Sequence, residues 1–121
     1  MNDQPPIFRT LLKSKIHRAT LTGKELTYEG SIAIDRLLMD AADLVAGEQV
    51  HVLNLNNGSR LITYVIEAPA GSGTMLLNGP AARLGEPGDL VVIISYAQVP
   101  ESAVAASRAR IVHVDSTNRL R

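Results

Sequence analysis

Short runs of Val, Ile, Leu, Thr and Tyr recur along this chain at intervals of about ten residues, each closed off by Gly, Pro or Asn. That rhythm constrains the fold more than any other feature of the sequence. Strands are expected over residues 8–14, 17–22, 31–34, 49–54, 60–66, 75–78, 89–97 and 110–114. Asn56-Asn57-Gly58, between the fourth and fifth, is a hairpin signal, because Asn and Gly accept the positive φ of a tight turn. A helix is expected over 35–45, with Asp35 as N-cap, Leu37, Leu38, Ala41, Ala42 and Val45 at helical spacing, and Gly47 as the stop. A second helical piece follows Pro100 over 101–107, and a short turn follows Pro80. The residues before Ile7 and those over 116–121 read as mobile tails. The pattern is mainly β: a small barrel with short helices.

At 121 residues the chain reads as one domain, able to bury one core but not two. Twelve basic residues balance twelve acidic ones, so no net field draws the protein to nucleic acid or anionic lipid. No apolar run is long enough to span a bilayer, and the first residues have neither a basic start nor an apolar signal core. A cytoplasmic protein is expected. Without cysteine there is no disulfide, thiolate nucleophile or thiolate metal site. His17, His51 and His113 are widely separated, so no metal is expected.

The chemistry concentrates around Tyr28-Glu29-Gly30-Ser31. Gly-Ser also occurs at Gly58-Ser59 and Gly71-Ser72, so the dipeptide alone decides nothing. What distinguishes the first copy is its company: Arg9-Thr10-Leu11-Leu12, Lys15-Ile16-His17-Arg18, Ser31-Ile32-Ala33-Ile34-Asp35, Asn57-Gly58-Ser59-Arg60-Leu61-Ile62-Thr63-Tyr64 and Asn78-Gly79-Pro80-Ala81-Ala82. In order and spacing these resemble the pyruvoyl-dependent aspartate 1-decarboxylases, over nearly the whole chain from about Ile7 to about Val112. The resemblance implies a six-stranded double-psi β-barrel assembled as a homotetramer. It also implies decarboxylation of L-aspartate to β-alanine and CO2, feeding pantothenate and coenzyme A synthesis.

By that resemblance Ser31 is the precursor of a covalent pyruvoyl group. A serine hydroxyl can attack the preceding carbonyl if a turn holds the two close, and Gly30 tolerates the strained backbone that this needs. Elimination and hydrolysis would then leave a β-chain of residues 1–30 and an α-chain of 31–121 headed by the pyruvoyl group, which condenses with the substrate amine as a Schiff base. The resemblance puts Thr63 against the Gly30 carbonyl and His17 and Tyr28 near the ester. Singly, a strand threonine, a lone histidine or a tyrosine is ordinarily a packing residue. Their joint placement around Gly30-Ser31 is what carries weight.

Arg60 and Tyr64 lie four apart in an expected strand and so share a face, whereas Thr63 points to the other. By resemblance Arg60 anchors a substrate carboxylate, for which its planar fork is suited, and Tyr64 returns the proton. Lys15 is a second cation for a dicarboxylate. Thr63, Gly79, Pro80 and Ala81 line the substrate pocket, and Asn78 positions the pyruvoyl group. The family pattern has alanine where Pro80 stands, and proline removes an N–H donor there. Other readings stay open: a barrel that never cleaves itself and serves as a binding module, or a pyruvoyl enzyme for another acidic amino acid, since Arg60 and Lys15 do not separate aspartate from glutamate. Whether an accessory maturation protein acts is also open.

Overall fold

The computed structural model describes residues 5–121, so residues 1–4 of the lead before Ile7 lie outside the described residues. Eight strands form in chain order: β1 Phe8–Thr20, β2 Gly23–Glu25, β3 Ser31–Asp35, β4 Gln49–Asn54, β5 Arg60–Ala68, β6 Met75–Asn78, β7 Leu90–Pro100 and β8 Arg110–His113. One α-helix, α1 Arg36–Ala42, follows β3, and 3₁₀ turns occupy Gly79–Leu84 and Glu101–Ala106. The strands expected over 8–14 and 17–22 are a single strand, paired antiparallel with β7 from Phe8↔Pro100 to Thr20↔Leu90. It bulges between Leu12 and Ser14 and again between Ile16 and Ala19, where Arg18 takes φ 61°. A bulge interrupts the inside–outside alternation, so the sequence pattern breaks there while the strand does not. β2 has no strand signature in Gly-Lys-Glu; parallel pairing with β6, Gly23↔Leu76 to Glu25↔Asn78, imposes it.

A barrel closes because one segment carries both β1 and β2. β1 pairs with β7, and three residues later β2 pairs with β6. At the crossing Thr22 N–H donates to Met75 O at 2.9 Å, and Met75 N–H donates back to Thr22 Oγ1 at 2.9 Å. The ring then runs β6–β3 antiparallel, β3–β5 parallel, β5–β4 antiparallel and β4–β7 antiparallel. Counting β1 and β2 as one, six strands close on themselves, with two parallel pairs interleaved among antiparallel ones in the double-psi arrangement. β8 lies outside the ring, parallel to β1. The interior is aliphatic: Ile16, Leu21, Ile32, Ile34, Val50, Val52, Val65, Met75, Leu77, Val91 and Ile93 are essentially inaccessible. Each contributes about 1.5–3 kcal/mol by leaving water.

Helix α1 is shorter than its periodicity suggests. Asp43 adopts φ 57° and ψ 47° and ends it before Gly47 is reached. The buried face is Leu38, Met39 and Ala42, while Leu37 and Val45 are exposed. The piece after Pro100 is a 3₁₀ turn with no buried residue. Residues 116–121 are not a loose tail. Asn118, 1% exposed, accepts from Thr20 N–H and donates to Thr20 O and Gly73 O, each at 2.8 Å, and Val114 bridges to Leu120.

Asp35 does more than cap α1. Its buried carboxylate accepts from Leu37 N–H at 2.8 Å, Gly71 N–H at 2.9 Å and Gly73 N–H at 2.8 Å, tying the end of β3 to the loop before β6. Burial pushes this carboxyl up, but the Gly73, Leu37 and Gly71 donors and the charge of Arg119 outweigh it and hold it below the ordinary carboxylate value. A depressed folded value means stabilisation present above the unfolded pKa of about 3.9 and lost as pH falls through the lower folded one. Asp35→Ala should therefore lower unfolding free energy by about 3 kcal/mol at neutral pH. Urea denaturation at fixed protein concentration should show that difference shrinking once the pH drops below the carboxylate range.

Candidate active site

Ser31 begins β3, and its hydroxyl is sealed from solvent at 0% exposure. Oγ donates to Glu29 O at 3.1 Å and accepts from Asn78 Nδ2 at 3.0 Å. The Asn78 contact follows from register, since Ser31 and Asn78 face each other across the antiparallel β3–β6 pair. On the other side β3 runs parallel to β5 with Ile32 beside Val65, and one step back along that register sets Ser31 next to Tyr64. Ser31 is thus paired directly with Asn78, and Tyr64 stands one residue before the first β3–β5 pair.

The chain approaching Ser31 is pressed against Gly79. This glycine has φ 64°, and a Cβ placed on it would come within 2.8 Å of Gly30 Cα, Gly30 N and Tyr28 O. Only a residue without a side chain lets the 28–30 segment lie so close. Gly30 also lies against Pro80, which occupies the start of the 3₁₀ turn, where no helical N–H bond would form. Proline's missing donor therefore leaves no gap in the turn. A cavity of about 260 Å³ opens beside this contact, lined by Gly30, Leu61, Ile62, Thr63, Pro80, Ala81 and Leu84.

One protomer therefore gathers Gly30, Ser31, Thr63, Tyr64, Asn78, Gly79, Pro80 and Ala81. It does not gather the rest. Arg60 is exposed and lines a second cavity of about 500 Å³ with Thr10, His51, Ile62 and Tyr96; Ile62 lines both cavities, and Arg60 shares its face of β5 with Tyr64. Lys15 and His17 lie on β1, next to Ile94 and Ile111 and to His113, and β1 pairs with neither β3, β5 nor β6. The His17 ring meets His113 edge-on, centroids 5.7 Å apart, in a cleft with Arg18, Asp115 and Arg121. Burial lowers the His17 pKa, helped by the charges of Lys15, His113 and Arg18, which favours the neutral ring able to accept a proton. Tyr28 is 56% exposed, and its carbonyl reaches the Gly79 contact.

The aspartate decarboxylase family pattern matches residues 7–121. The chain belongs to the aspartate decarboxylase family. It is 56% identical over 114 residues to aspartate 1-decarboxylase 1 of Gloeobacter violaceus, covering 94% of this chain and 97% of that protein. To aspartate 1-decarboxylase of Leptothrix cholodnii it is 56% identical over 115 residues, covering 95% and 88%. Among solved structures a rationally designed DPBB protein aligns with TM-score 0.49 at 17% identity, over 64% of this chain and 90% of that one.

Sequence reasoning on this aspartate decarboxylase missed two supports of the site. Local pattern gives Asp35 as a cap, Asn54 as the end of a strand, Asn57 as a turn residue and Ser59 no role of its own. Their partners lie 25 to 38 positions away in the chain, beyond the reach of any local pattern. The Gly79 contact separates steric from conformational cost. Gly47 also has a left-handed φ, 89°, but nothing within 4 Å of a built Cβ. Gly79→Ala should cost about 2–4 kcal/mol and Gly47→Ala about 1 kcal/mol, compared by urea denaturation under identical conditions.

Proposed function

We propose that this aspartate decarboxylase is made as an inactive precursor that cuts itself between Gly30 and Ser31 and so makes its own pyruvoyl group. The observation that carries the reading is the Ser31 hydroxyl: buried, held between Glu29 O and Asn78 Nδ2, and attached to a glycine peptide pressed onto Gly79. Oγ attacks the Gly30 carbonyl carbon; the peptide C–N bond breaks as the ester C–O bond forms, and the Ser31 amine is released. Thr63, which lines the same cavity as Gly30, is suited to steady the oxygen that gains charge. Loss of the Ser31 α-proton with cleavage of Cβ–Oγ expels Gly30 as a carboxylate and leaves a dehydroalanine. Water then replaces its nitrogen, which departs as ammonia. Residues 1–30 remain as the β-chain and 31–121 as the α-chain.

The family decarboxylates L-aspartate to β-alanine and CO2, and the substrate chemistry of this chain is the same. When present, the pyruvoyl carbonyl supplies the electrophile for the substrate amine and the electron sink for the breaking carboxylate bond. The chain's own residues orient and protonate. Tyr64 is the proton donor of this reading, supported by its position one residue before the Val65 that pairs with Ile32. Asn78 keeps its amide on the position 31 group. Pro80 and Ala81 shape one wall of the cavity, with Thr63 on the other, while Gly79 beside them admits the 28–30 segment.

Arg60 and Lys15 are the cations for the two carboxylates, yet within one copy they lie away from Ser31. Together with His17 and Tyr28 they serve the site in a homotetramer, where neighbouring copies face each other. Phe8, Ile62 and Tyr96, 56%, 57% and 40% exposed, offer the apolar surface such packing covers. A cytoplasmic setting accords with this reading, and no helix among the described residues is long and apolar enough to cross a membrane.

Intact-mass measurement of aged protein tests the proposal. Two fragments divided at residues 30 and 31 are expected, the larger carrying a keto terminus. Ser31→Ala should remain one chain and release no CO2 from aspartate. Tyr64→Phe should still cleave, while decarboxylation falls by about a hundredfold or more. An uncut wild-type chain that nonetheless decarboxylates aspartate would overturn self-processing.

A further inference from the structure

The carbonyl of Leu84, at the end of the 3₁₀ turn that begins with Gly79, is the acceptor for three side chains of the β4–β5 hairpin. Asn57 Nδ2 donates to it at 3.0 Å, Ser59 Oγ at 3.1 Å and Asn54 Nδ2 at 3.3 Å. A carbonyl oxygen has two lone pairs, so three converging donors exceed what satisfying a terminal carbonyl requires. Each asparagine is fixed by its other contacts. Asn54, 5% exposed, uses Oδ1 to accept from Asn56 and Asn57 N–H at 2.8 and 3.2 Å, and Nδ2 also donates to Asp89 Oδ2 at 2.9 Å. Asn57 Oδ1 accepts from Ser59 N–H at 2.8 Å. Gly85 keeps the approach open, because a Cβ there would fall 2.6 Å from Leu21 Cδ1, 2.9 Å from Leu77 Cδ1 and 3.4 Å from Asn54 Nδ2.

This contact joins the two walls of the cavity beside Ser31. One wall is β5, which starts at Arg60 directly after Ser59 and contributes Leu61, Ile62 and Thr63; the other is the turn that contributes Pro80, Ala81 and Leu84 itself. Ser59 and Leu84 stand twenty-five positions apart in the chain. The hairpin is also tied beyond the turn, by Leu55 N–H to Leu90 O and Asn54 Nδ2 to Asp89 Oδ2, but only the contacts on the Leu84 carbonyl reach the turn residues that line the cavity. We propose that Asn54, Asn57 and Ser59 are positioning residues that grip the Leu84 carbonyl and thereby set the breadth of the substrate cavity. They touch no reacting atom. The inference rests on the reading above only in taking this cavity as the place where aspartate binds.

Asn57→Asp keeps the oxygen that accepts from Ser59 N–H but turns the donor to Leu84 into a second acceptor, and Ser59→Ala removes one donor. In the uncleavable Ser31→Ala chain, hydrogen exchange followed by mass spectrometry should show amides over 79–85 exchanging about tenfold faster in either variant, with β1 and β7 unaffected. In otherwise wild-type protein matured to completion, the KM for aspartate should rise about five- to tenfold while kcat stays within about twofold, and Ser59→Thr, which retains a hydroxyl, should restore it. Unaltered exchange over 79–85 overturns the clamp. Faster exchange with an unmoved KM in fully cleaved protein overturns its role in the cavity and leaves only a stabilising contact. A wild-type chain that neither cleaves nor decarboxylates would count against the proposed function instead, and the exchange measurement still decides the clamp.

Discussion

Everything in this barrel depends on the passage of one segment from β7 to β6. The paired hydrogen bonds between Thr22 and Met75 mark where β1 hands over to β2 and the ring shuts. Closure leaves no open edge within the ring, and it fixes which residues can stand beside one another. β6 is held against β2 on one side and β3 on the other, so Asn78 must face Ser31. Two further ties converge on the same region: Asp35 binds the loop before β6, and Asn118 binds that loop to the end of β1. Ser31 sits on the strand that these ties hold in place.

That rigidity suits the chemistry. A hydroxyl attacks a peptide bond only if both are held in a geometry the flexible chain rarely visits. Here the constraint comes from backbone packing rather than from a dedicated base: Gly79 admits the 28–30 segment, and the β3–β6 register supplies the amide that orients Oγ. On the proposed reading, the residues for the cut and the proton return lie within one copy, whereas Lys15 lies on β1, which pairs with neither β3, β5 nor β6.

Much of the fold was legible in the sequence, because strand periodicity and turn chemistry act locally. Strands β4 and β6 fall where alternation and Gly/Asn punctuation place them, and the Asn56-Asn57-Gly58 turn forms with Gly58 at φ 75°. Errors arose where distant contacts overrule local signals. Bulges made β1 look like two strands, pairing made β2 from unpromising residues, and Asp43 ended α1 early by taking a left-handed conformation. The end of the chain looked like a tail because nothing nearby in sequence reveals that Asn118 plugs a gap between Thr20 and Gly73. Within the site, the motif residues on β3, β5 and β6 came together as their strands did, whereas Lys15 and His17 belong to a strand with other neighbours.

The long pairing of β1 with β7 has a consequence for a chain severed after Gly30. The smaller piece would be retained solely by non-covalent cohesion, as a thirteen-residue strand threaded into its host. Before scission, collapse of the barrel is a first-order event that the intact tether can reverse. Afterwards, each opening sets loose a peptide that must find its cradle again by diffusion, and recovery becomes second order and weak at low abundance. Durability of the finished catalyst would then be governed by how slowly that strand escapes, not by the equilibrium that the newborn chain enjoyed.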